Sequence, residues 1–280
     1  MTTDRIHVAP DPVFDPGWPL YRYVAAHAAR APDAPAVLLR DRNVGYRALL
    51  EMAEALALAL REAGVGPGDR VGLLATRSLD QLAGMLAILR AGACCIPLDP
   101  SYADATQLRQ IAGQLSFAAV LQSAAAAPAG EGLFAPEVPR IGLDGAVPAP
   151  LGGDWPEPDG SAPVCMVFTS GTTGTPKGVV LPHRGLAAFT RNQPVIGLGP
   201  QDRMLHASSL ACDGGLIEVW SALLAGAALA VVETPKPALP EIAATMTRHG
   251  VTVTSQYVGM HNLIVDHHLD AFATVRLAMA

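Results

Sequence analysis

The sequence predicts an α/β fold in which strands and helices alternate around parallel sheets. Short apolar runs of strand length alternate with amphipathic runs of helix length, and the turns between them are rich in glycine and proline. The composition also changes near the middle of the chain, where a Pro/Gly/Ala-rich stretch without sustained periodicity separates two such alternations. We therefore expect two α/β lobes that are joined by a surface connection.

Residues 1–122 are expected to form the first lobe, and its clearest element is a helix from Tyr46 to Ala63. Apolar residues recur there at steps of four, three and four, which places one apolar stripe along the helix. Glycines and a proline end it. The other elements expected in this lobe are a strand at Arg70–Ala75, a helix from the N-cap Ser78 to about Arg90, a strand at Ala93–Leu98, a helix near Thr106–Leu115 and a strand near Ala118–Gln122.

Residues 123–163 are expected to form the connecting segment, with one short strand at Arg140–Leu143. Residues 164–280 are expected to form the second lobe, which opens with a buried strand at Val164–Phe168. Its further elements are a strand at Gly178–Leu181, a helix from about Arg184 to Asn192, a helix near Leu216–Leu224, a strand at Ala228–Val232, a helix near Leu239–His249 and a strand at Val251–Ser255.

Composition and charge argue against several classes of protein. The chain has 280 residues, is 50% hydrophobic and carries a formal net charge of −6, which does not favour a nucleic-acid partner. Its longest apolar run is too short for a membrane span of roughly 20 residues. The N-terminus lacks a cationic start followed by an apolar stretch. We therefore expect a cytoplasmic protein with neither a nucleic-acid nor a membrane partner.

The cysteines and histidines do not predict a metal site. No CxxC pair occurs, and His261 with the run Asp266–His268 matches no standard spacing of metal ligands. Cysteines without such spacing fit a reducing compartment. We expect four cysteines to be buried and inert, namely Cys94, Cys95, Cys165 and Cys212.

The segment Thr169–Gly178, TSGTTGTPKG, is the most informative stretch. It combines three glycines, four threonines, one serine and one lysine between two apolar strands. Glycines allow successive N–H groups to point into one concavity, and hydroxyls and the cation of Lys177 add to an anion-binding surface. The order differs from the Walker A loop, because Lys177 follows a proline and precedes a glycine. We predict a polyphosphate cradle between two strands; the alternative is a solvated turn that binds nothing.

This loop resembles the phosphate loop of the adenylate-forming (ANL) superfamily, and specifically of amino-acid adenylation domains in nonribosomal peptide synthetases. The family pattern (S/T)SG(S/T)TGxPKG matches Thr169–Gly178 at every position. Three further blocks are similar in order and spacing. They are Tyr46–Leu60, Leu89–Tyr102 (LRAGACCIPLDPSY) and Asp202–Trp220, with departures at Ala48, Glu54, Cys95, Ala103, Cys212 and Gly215.

The resemblance implies a two-step ligase that uses ATP and Mg²⁺. A carboxylate and ATP would form an acyl-adenylate and pyrophosphate, and the phosphopantetheine thiol of a peptidyl carrier protein would then take the acyl group. Lys177 would be the catalytic cation, and His183 would support the loop. The residues implied to bind the ATP phosphates are Thr169, Ser170, Gly171, Thr172, Thr173, Gly174, Thr175, Lys177 and Gly178.

The resemblance also implies that Asp213 binds the α-ammonium group of an amino acid. The carboxylate stands among apolar residues in the sequence, where an unpaired charge would be costly. An alternative role is that of N-cap of the following helix, and Glu218 is interpreted as a structural contact. The other positions carried over to the substrate pocket are Gly214, Ile217, Ser255, Ala278 and Ala280.

The expected fold is thus that of two Rossmann-like lobes of the large N-terminal domain of adenylate-forming enzymes, without their C-terminal lid. The family chain continues beyond the position that matches Ala280, so we expect these 280 residues alone not to complete catalysis, and a missing C-terminal half becomes a possible partner. Two alternatives stay open. One is part of a ligase for aryl or fatty acids, and the other is a non-catalytic interaction module.

Overall fold

The computed structural model describes residue 15 and residues 17–169, 175–191 and 197–280. Its α/β class agrees with the class expected from the sequence. The described strands form two six-stranded sheets. The helices are α1 (Leu20–Arg30), α2 (Tyr46–Glu62), α3 (Leu79–Arg90), α4 (Ala105–Ala112), α5 (His183–Arg191), α6 (Asp213–Ala225), α7 (Leu239–His249) and α8 (Val258–His267).

The strands fall into two groups that we call sheet I and sheet II. Sheet I has the order β6-β5-β3-β4-β7-β8, and sheet II has the order β12-β11-β9-β10-β1-β2. The strand bounds are β1 (Pro35–Leu38), β2 (Asn43–Gly45), β3 (Arg70–Leu74), β4 (Cys94–Leu98), β5 (Ala119–Gln122), β6 (Arg140–Gly142), β7 (Pro163–Thr169), β8 (Lys177–Pro182), β9 (Arg203–His206), β10 (Ala228–Val231), β11 (Val253–Ser255) and β12 (Leu277–Met279).

The two sheets do not follow the division into lobes by chain order. Strands β1 and β2 lie in the expected first lobe, yet β1 pairs in parallel with β10 of sheet II. Strands β7 and β8 lie in the expected second lobe, yet β7 pairs with β4 of sheet I through Cys95 and Cys165. The chain therefore crosses between the sheets twice. The expectation that each lobe is built from consecutive elements is therefore corrected for these four strands. Strands pair where their edges match, and that does not depend on their position along the chain.

Three hydrophobic clusters arrange the helices in layers. The largest cluster contains buried residues of α1, α2, α3, α5 and α6 together with one face of each sheet, so these helices pack between the sheets. A second cluster joins α7 and α8 to the other face of sheet II. A third joins α4 to the other face of sheet I. Both sheets are thus covered on both faces, which is the usual requirement where the central strands are parallel.

The elements expected from periodicity are present with small shifts of their ends. Ser78 caps α3 as expected, since its side chain accepts the N–H of Gln81. Helix α6 begins at Asp213, three residues before the predicted start. The weakly patterned elements were missed by the sequence analysis: they are α1, β1, β2, β9, α8 and β12, most of which are short.

A buried carboxylate connects the segment between the lobes to helices α2 and α3. Glu54, which is 1% exposed, accepts a 2.8 Å bond from the indole N–H of Trp155. Arg90 donates a 3.0 Å bond to the other oxygen of the same carboxylate. Glu54 is a departure from the family pattern, and here it fastens residues near 155 onto α2 and α3. The segment also contains the predicted short strand, as β6.

All four cysteines are buried, as expected, and none forms a disulfide. Within the described part of the chain, no helix combines the length and the apolar composition needed to cross a membrane.

His183 joins two helices of the central layer. It is the first residue of α5 and is only 1% exposed. Its Nδ1 atom accepts the backbone N–H of Leu20, the first residue of α1, at 3.1 Å. An accepting Nδ1 carries no proton, so the ring is neutral. Burial lowers the pKa of His183 to about 4, which suits a structural contact.

The protonation of His183 predicts how the free energy of unfolding depends on pH. The unfolded chain binds a proton at this residue below about pH 6.5, whereas the folded chain resists it until about pH 4. Stability is therefore lost as the pH falls through this window. Replacement by asparagine, His183→Asn, keeps an acceptor for Leu20 and should abolish a loss on the order of 2 kcal/mol between pH 7 and pH 5.

Equilibrium urea unfolding at the two pH values measures this difference. His267→Asn is the matched control, because His267 is exposed, and it should keep the wild-type pH dependence. An unchanged pH dependence in His183→Asn would contradict the assignment.

Candidate active site

The predicted phosphate loop joins two antiparallel strands, β7 and β8, at the edge of sheet I, and we call residues 163–182 the phosphate hairpin. Thr169 at the end of β7 pairs with Lys177 at the start of β8, which confirms the predicted placement between two strands. The predicted residues Ser170–Gly174 lie outside the described residues. Thr175 and Lys177 are exposed. The anion-binding role of Lys177 therefore stays a prediction, with the side chain accessible to solvent.

The base of this hairpin is held by packing on both sides. A Cβ atom added to Gly178 would lie 3.0 Å from the sulfur of Met166 and 3.3 Å from the ring of Phe168, so a larger residue would push these side chains away. The side-chain amide of Gln114 donates a 3.1 Å bond to the carbonyl of Pro176. The loop thus begins and ends on fixed positions.

Residues 207–212, which we call the clamped segment, connect β9 to α6 and are held by Glu218 of α6. This glutamate is fully buried. Its carboxylate accepts the N–H of Ala207 at 3.1 Å and the N–H and hydroxyl of Ser208 at 3.0 and 2.7 Å. It also lies 2.8 Å from Nδ1 of His206, which is buried too. The expectation that Glu218 makes a structural contact fits this geometry.

The clamped segment is also tied to sheet I through Asp99, which directly follows β4. Asp99 is 1% exposed, and its Oδ2 atom accepts a 2.6 Å bond from the hydroxyl of Ser209. Its Oδ1 atom accepts the N–H and the hydroxyl of Ser101 at 2.8 and 2.7 Å. These donors satisfy the hydrogen-bonding capacity of the buried carboxylate oxygens. The two sheets therefore meet at the carboxyl ends of β4 and β9.

A second tie between the sheets is made by Arg77, three residues after β3. Its guanidinium donates to the carbonyl of Val232 at 2.6 Å, to that of Thr234 at 2.7 Å and to that of Ala207. These carbonyls follow β9 and β10 of sheet II. Burial lowers the pKa of Arg77, whereas the charges of Glu218 and Asp99 raise it.

Asp213 follows the clamped segment directly and differs from the expectation in two respects. Its side chain is exposed, so the argument from an unpaired buried charge does not apply. It is also the first residue of α6 and not its N-cap, a position that Cys212 occupies without a side-chain cap. The positive end of the helix dipole stabilises a carboxylate at this position. Asp213 is therefore an accessible anion on a fixed backbone.

The two glycines after Asp213 have separate structural reasons. A Cβ atom on Gly215 would lie 2.0 Å from the carbonyl oxygen of Ser209, so no side chain fits where the family has serine or threonine. A Cβ atom on Gly214 would lie 3.3 Å from Oγ of Ser208 and 3.6 Å from the hydroxyl of Tyr257. A side chain at position 214 would therefore press against these two groups.

The remaining predicted pocket residues lie on α6, β11 and β12. Ile217 is half-buried on α6. Ser255 ends β11 and pairs with Met279 of β12, which places it between Ala278 and Ala280 on the neighbouring strand. Both alanines are exposed. Helix α6 packs against β11, but neither these residues nor Asp213 and Gly214 are among those that line four cavities in the described part of the chain.

A cavity of about 330 Å³ joins the phosphate hairpin to the clamped segment. Thr169 and Pro176 from the base of the loop line it, and so do Asp99, Tyr102 and Ala211. Ala211 is two residues before Asp213. The cavity therefore extends from the base of the predicted phosphate loop to the clamped segment, and it lies at the carboxyl ends of β4 and β7, where α/β proteins bind ligands.

Two tyrosines that the sequence analysis did not identify border the site. A hydrogen bond to Cys212 and burial raise the pKa of Tyr257, and the charge of Asp213 contributes. Burial, Cys212 and Asp213 likewise raise the pKa of Tyr102. The two hydroxyls therefore stay protonated near the carboxylate. For Tyr102 the quoted motif LDPSY was a usable signal, whereas for Tyr257 the sequence offered none.

The described residues contain no group of three or more histidine, cysteine, aspartate or glutamate side chains placed to hold a metal ion.

Comparisons with known proteins identify relatives among peptide synthetases. The chain is 31% identical over 264 residues to bacitracin synthase 1 of Bacillus licheniformis, an alignment that covers 92% of this chain and 5% of the relative. It is 35% identical over 209 residues to the phosphinothricin tripeptide synthetase PhsC of Streptomyces viridochromogenes, covering 72% of this chain and 19% of the relative. The chain thus spans only a small part of these proteins.

Solved structures agree with this relationship. The nonribosomal peptide synthetase FmoA3 is similar with a TM-score of 0.83 and 27% identity, over 96% of this chain and 29% of that one. The N-terminal subdomain of Klebsiella oxytoca NpsA matches with a TM-score of 0.82 over 94% of this chain and 67% of that one. Its identity of 22% supports the fold alone.

The family model described as AMP-binding enzyme matches residues 24–279, which include the phosphate hairpin, the clamped segment and Asp213. The chain belongs to the AMP-binding enzyme family.

Proposed function

We propose that the protein activates an amino acid with ATP as an aminoacyl-adenylate, for transfer to the phosphopantetheine thiol of a carrier protein in nonribosomal peptide synthesis. The observation that carries the proposal is Asp213, an accessible carboxylate at the start of α6 that is fixed by the clamped segment. A carboxylate there suits the ammonium group of an amino acid. It does not suit aryl or fatty acids, which lack that group.

The phosphate hairpin supplies the other half of the proposed reaction. The substrate carboxylate attacks the α-phosphorus, a new carboxylate–phosphorus bond forms, and the bond to pyrophosphate breaks. Negative charge grows on the departing pyrophosphate, where Lys177 and the loop's N–H and hydroxyl groups can stabilise it. Ser170–Gly174 are assigned to this role from the motif.

Mg²⁺ would accompany ATP, since this ion is bound in such sites mainly by phosphate oxygens and one or two carboxylates. The carrier protein and ATP are proposed from the family relationship. Support comes from a relative whose structure carries the description of an AMPPNP-bound form and from the NpsA-ThdA structure, described as an adenylation-PCP di-domain.

Lys177 offers a test of the phosphate site. Lys177→Ala in the full-length protein should lower kcat/KM for ATP by about 100-fold, because a charge-assisted contact to phosphate is worth a few kcal/mol. ATP–pyrophosphate exchange measures the rate. Lys236→Ala is the matched control, because Lys177 and Lys236 are the only lysines of the chain, and it should leave the rate unchanged. Equal rates for the two variants would argue against the phosphate role.

Asp213 offers a test of the substrate class. Asp213→Asn should lower kcat/KM for the preferred amino acid by about 100-fold while KM for ATP is retained, since an ammonium group would lose its charged partner. Asp266→Asn changes an exposed carboxylate of α8 and should behave as wild type. Exchange should also fall when the amino acid is replaced by its des-amino counterpart.

Two results would contradict the amino-acid assignment. One is full amino-acid-dependent exchange by Asp213→Asn. The other is a wild-type preference for des-amino, aryl or fatty acids, which would favour the alternative ligase. A protein that binds no ATP at all would favour a non-catalytic module.

A further inference from the structure

Arg77 is a buried cation that the proposed chemistry leaves without a role. It is 3% exposed and lies in the turn between β3 and α3 of sheet I. Its three hydrogen bonds go to carbonyls that follow β9 and β10 of sheet II, those of Ala207, Val232 and Thr234. Arg77 is 130 to 157 residues away from these three partners in the sequence.

The three carbonyls that accept from Arg77 follow two different strands of sheet II. Ala207 is the first residue of the clamped segment, and Val232 and Thr234 follow β10. One planar guanidinium therefore fixes the ends of two strands of sheet II relative to β3 of sheet I. Arginine presents five donors in a rigid fork, whereas lysine is a flexible point charge with a single nitrogen. A lysine at this position cannot hold three separated carbonyls in the same arrangement.

The clamped segment lies between the two halves of the proposed reaction. Its far end carries Asp213, which would hold the amino acid, while the phosphate hairpin belongs to sheet I. The distance between the substrate carboxylate and the α-phosphorus thus depends on the position of sheet II relative to sheet I. A misplacement of about 1 Å between reacting groups costs about 100-fold in rate.

We propose that Arg77 is a positioning residue for adenylate formation, which it serves by locking the clamped segment against sheet I through the three carbonyls. It acts through the backbone of Ala207, since its three hydrogen bonds go to protein carbonyls. This inference rests on the proposed function, because the alignment matters only if a carboxylate and ATP react between the two sheets.

Steady-state kinetics of Arg77→Lys in the full-length protein test the role. We expect kcat for amino-acid-dependent pyrophosphate exchange to fall by about 100-fold, with KM for ATP within about threefold of wild type, since the phosphate hairpin is untouched. Rates are referred to the concentration of folded protein. Arg77→Gln has fewer donors and should lose at least as much.

The matched control is Arg203→Lys. Arg203 also donates to backbone carbonyls, those of His249 and Gly250, but both belong to elements packed on sheet II. This control should keep the wild-type kcat. A similar loss in both variants would overturn the assignment, because it would indicate a general sensitivity to lost arginine contacts.

Hydrogen exchange gives a readout that needs no catalysis. In the full-length protein, Arg77→Lys should accelerate amide exchange of a peptide covering the clamped segment by about tenfold or more, because the carbonyl of Ala207 loses its partner. A peptide from β7 should exchange as in the wild type. Unchanged exchange in the clamped segment would overturn the inference even if kcat fell.

The outcomes separate this inference from the proposed function. A wild-type protein without amino-acid-dependent exchange would refute the proposed function itself. An active wild type with an equally active Arg77→Lys would refute only the role of Arg77. A variant that is less stable but retains kcat per folded molecule would show a purely structural contact, and that also overturns the proposal.

Discussion

The site depends on the tie between two sheets at the carboxyl ends of their strands. Glu218 holds the clamped segment to α6, Ser209 bonds to Asp99 after β4, and Arg77 reaches the same segment from β3. Each of these side chains is more than 90% buried. Buried charges are costly unless they are fully bonded, so this arrangement favours one backbone path.

A rigid backbone explains how the exposed carboxylate of Asp213 could bind an ammonium group specifically. Asp213 is accessible, and an isolated surface charge gains little from an ion pair. Here the residue starts a helix whose preceding segment is bonded at both ends, so its position is set before a ligand arrives. Binding then costs less ordering entropy. The specificity proposed for Asp213 therefore comes from its support and not from its burial.

The sequence predicted what periodicity and motif order encode. The strong elements, the Ser78 cap and the placement of the phosphate loop between two strands were all accessible. The exposure of Asp213 was not, because its apolar neighbours in the chain point away from it into the core. The membership of β1 in sheet II and of β7 in sheet I was missed for another reason: pairing between distant strands has no local signature in the sequence. Nor did any pattern mark Arg77, whose partners lie at least 130 residues away.

A double-mutant cycle between Ser209 and Asp99 tests the tie between the sheets most directly. Ser209→Ala, Asp99→Asn and the double variant would be compared by equilibrium urea unfolding. We predict a coupling free energy of about 1 to 3 kcal/mol, as for buried hydrogen bonds to a charged group. A coupling near zero would show that the two sheets are not held together at this point, and would contradict the account of how the site is fixed.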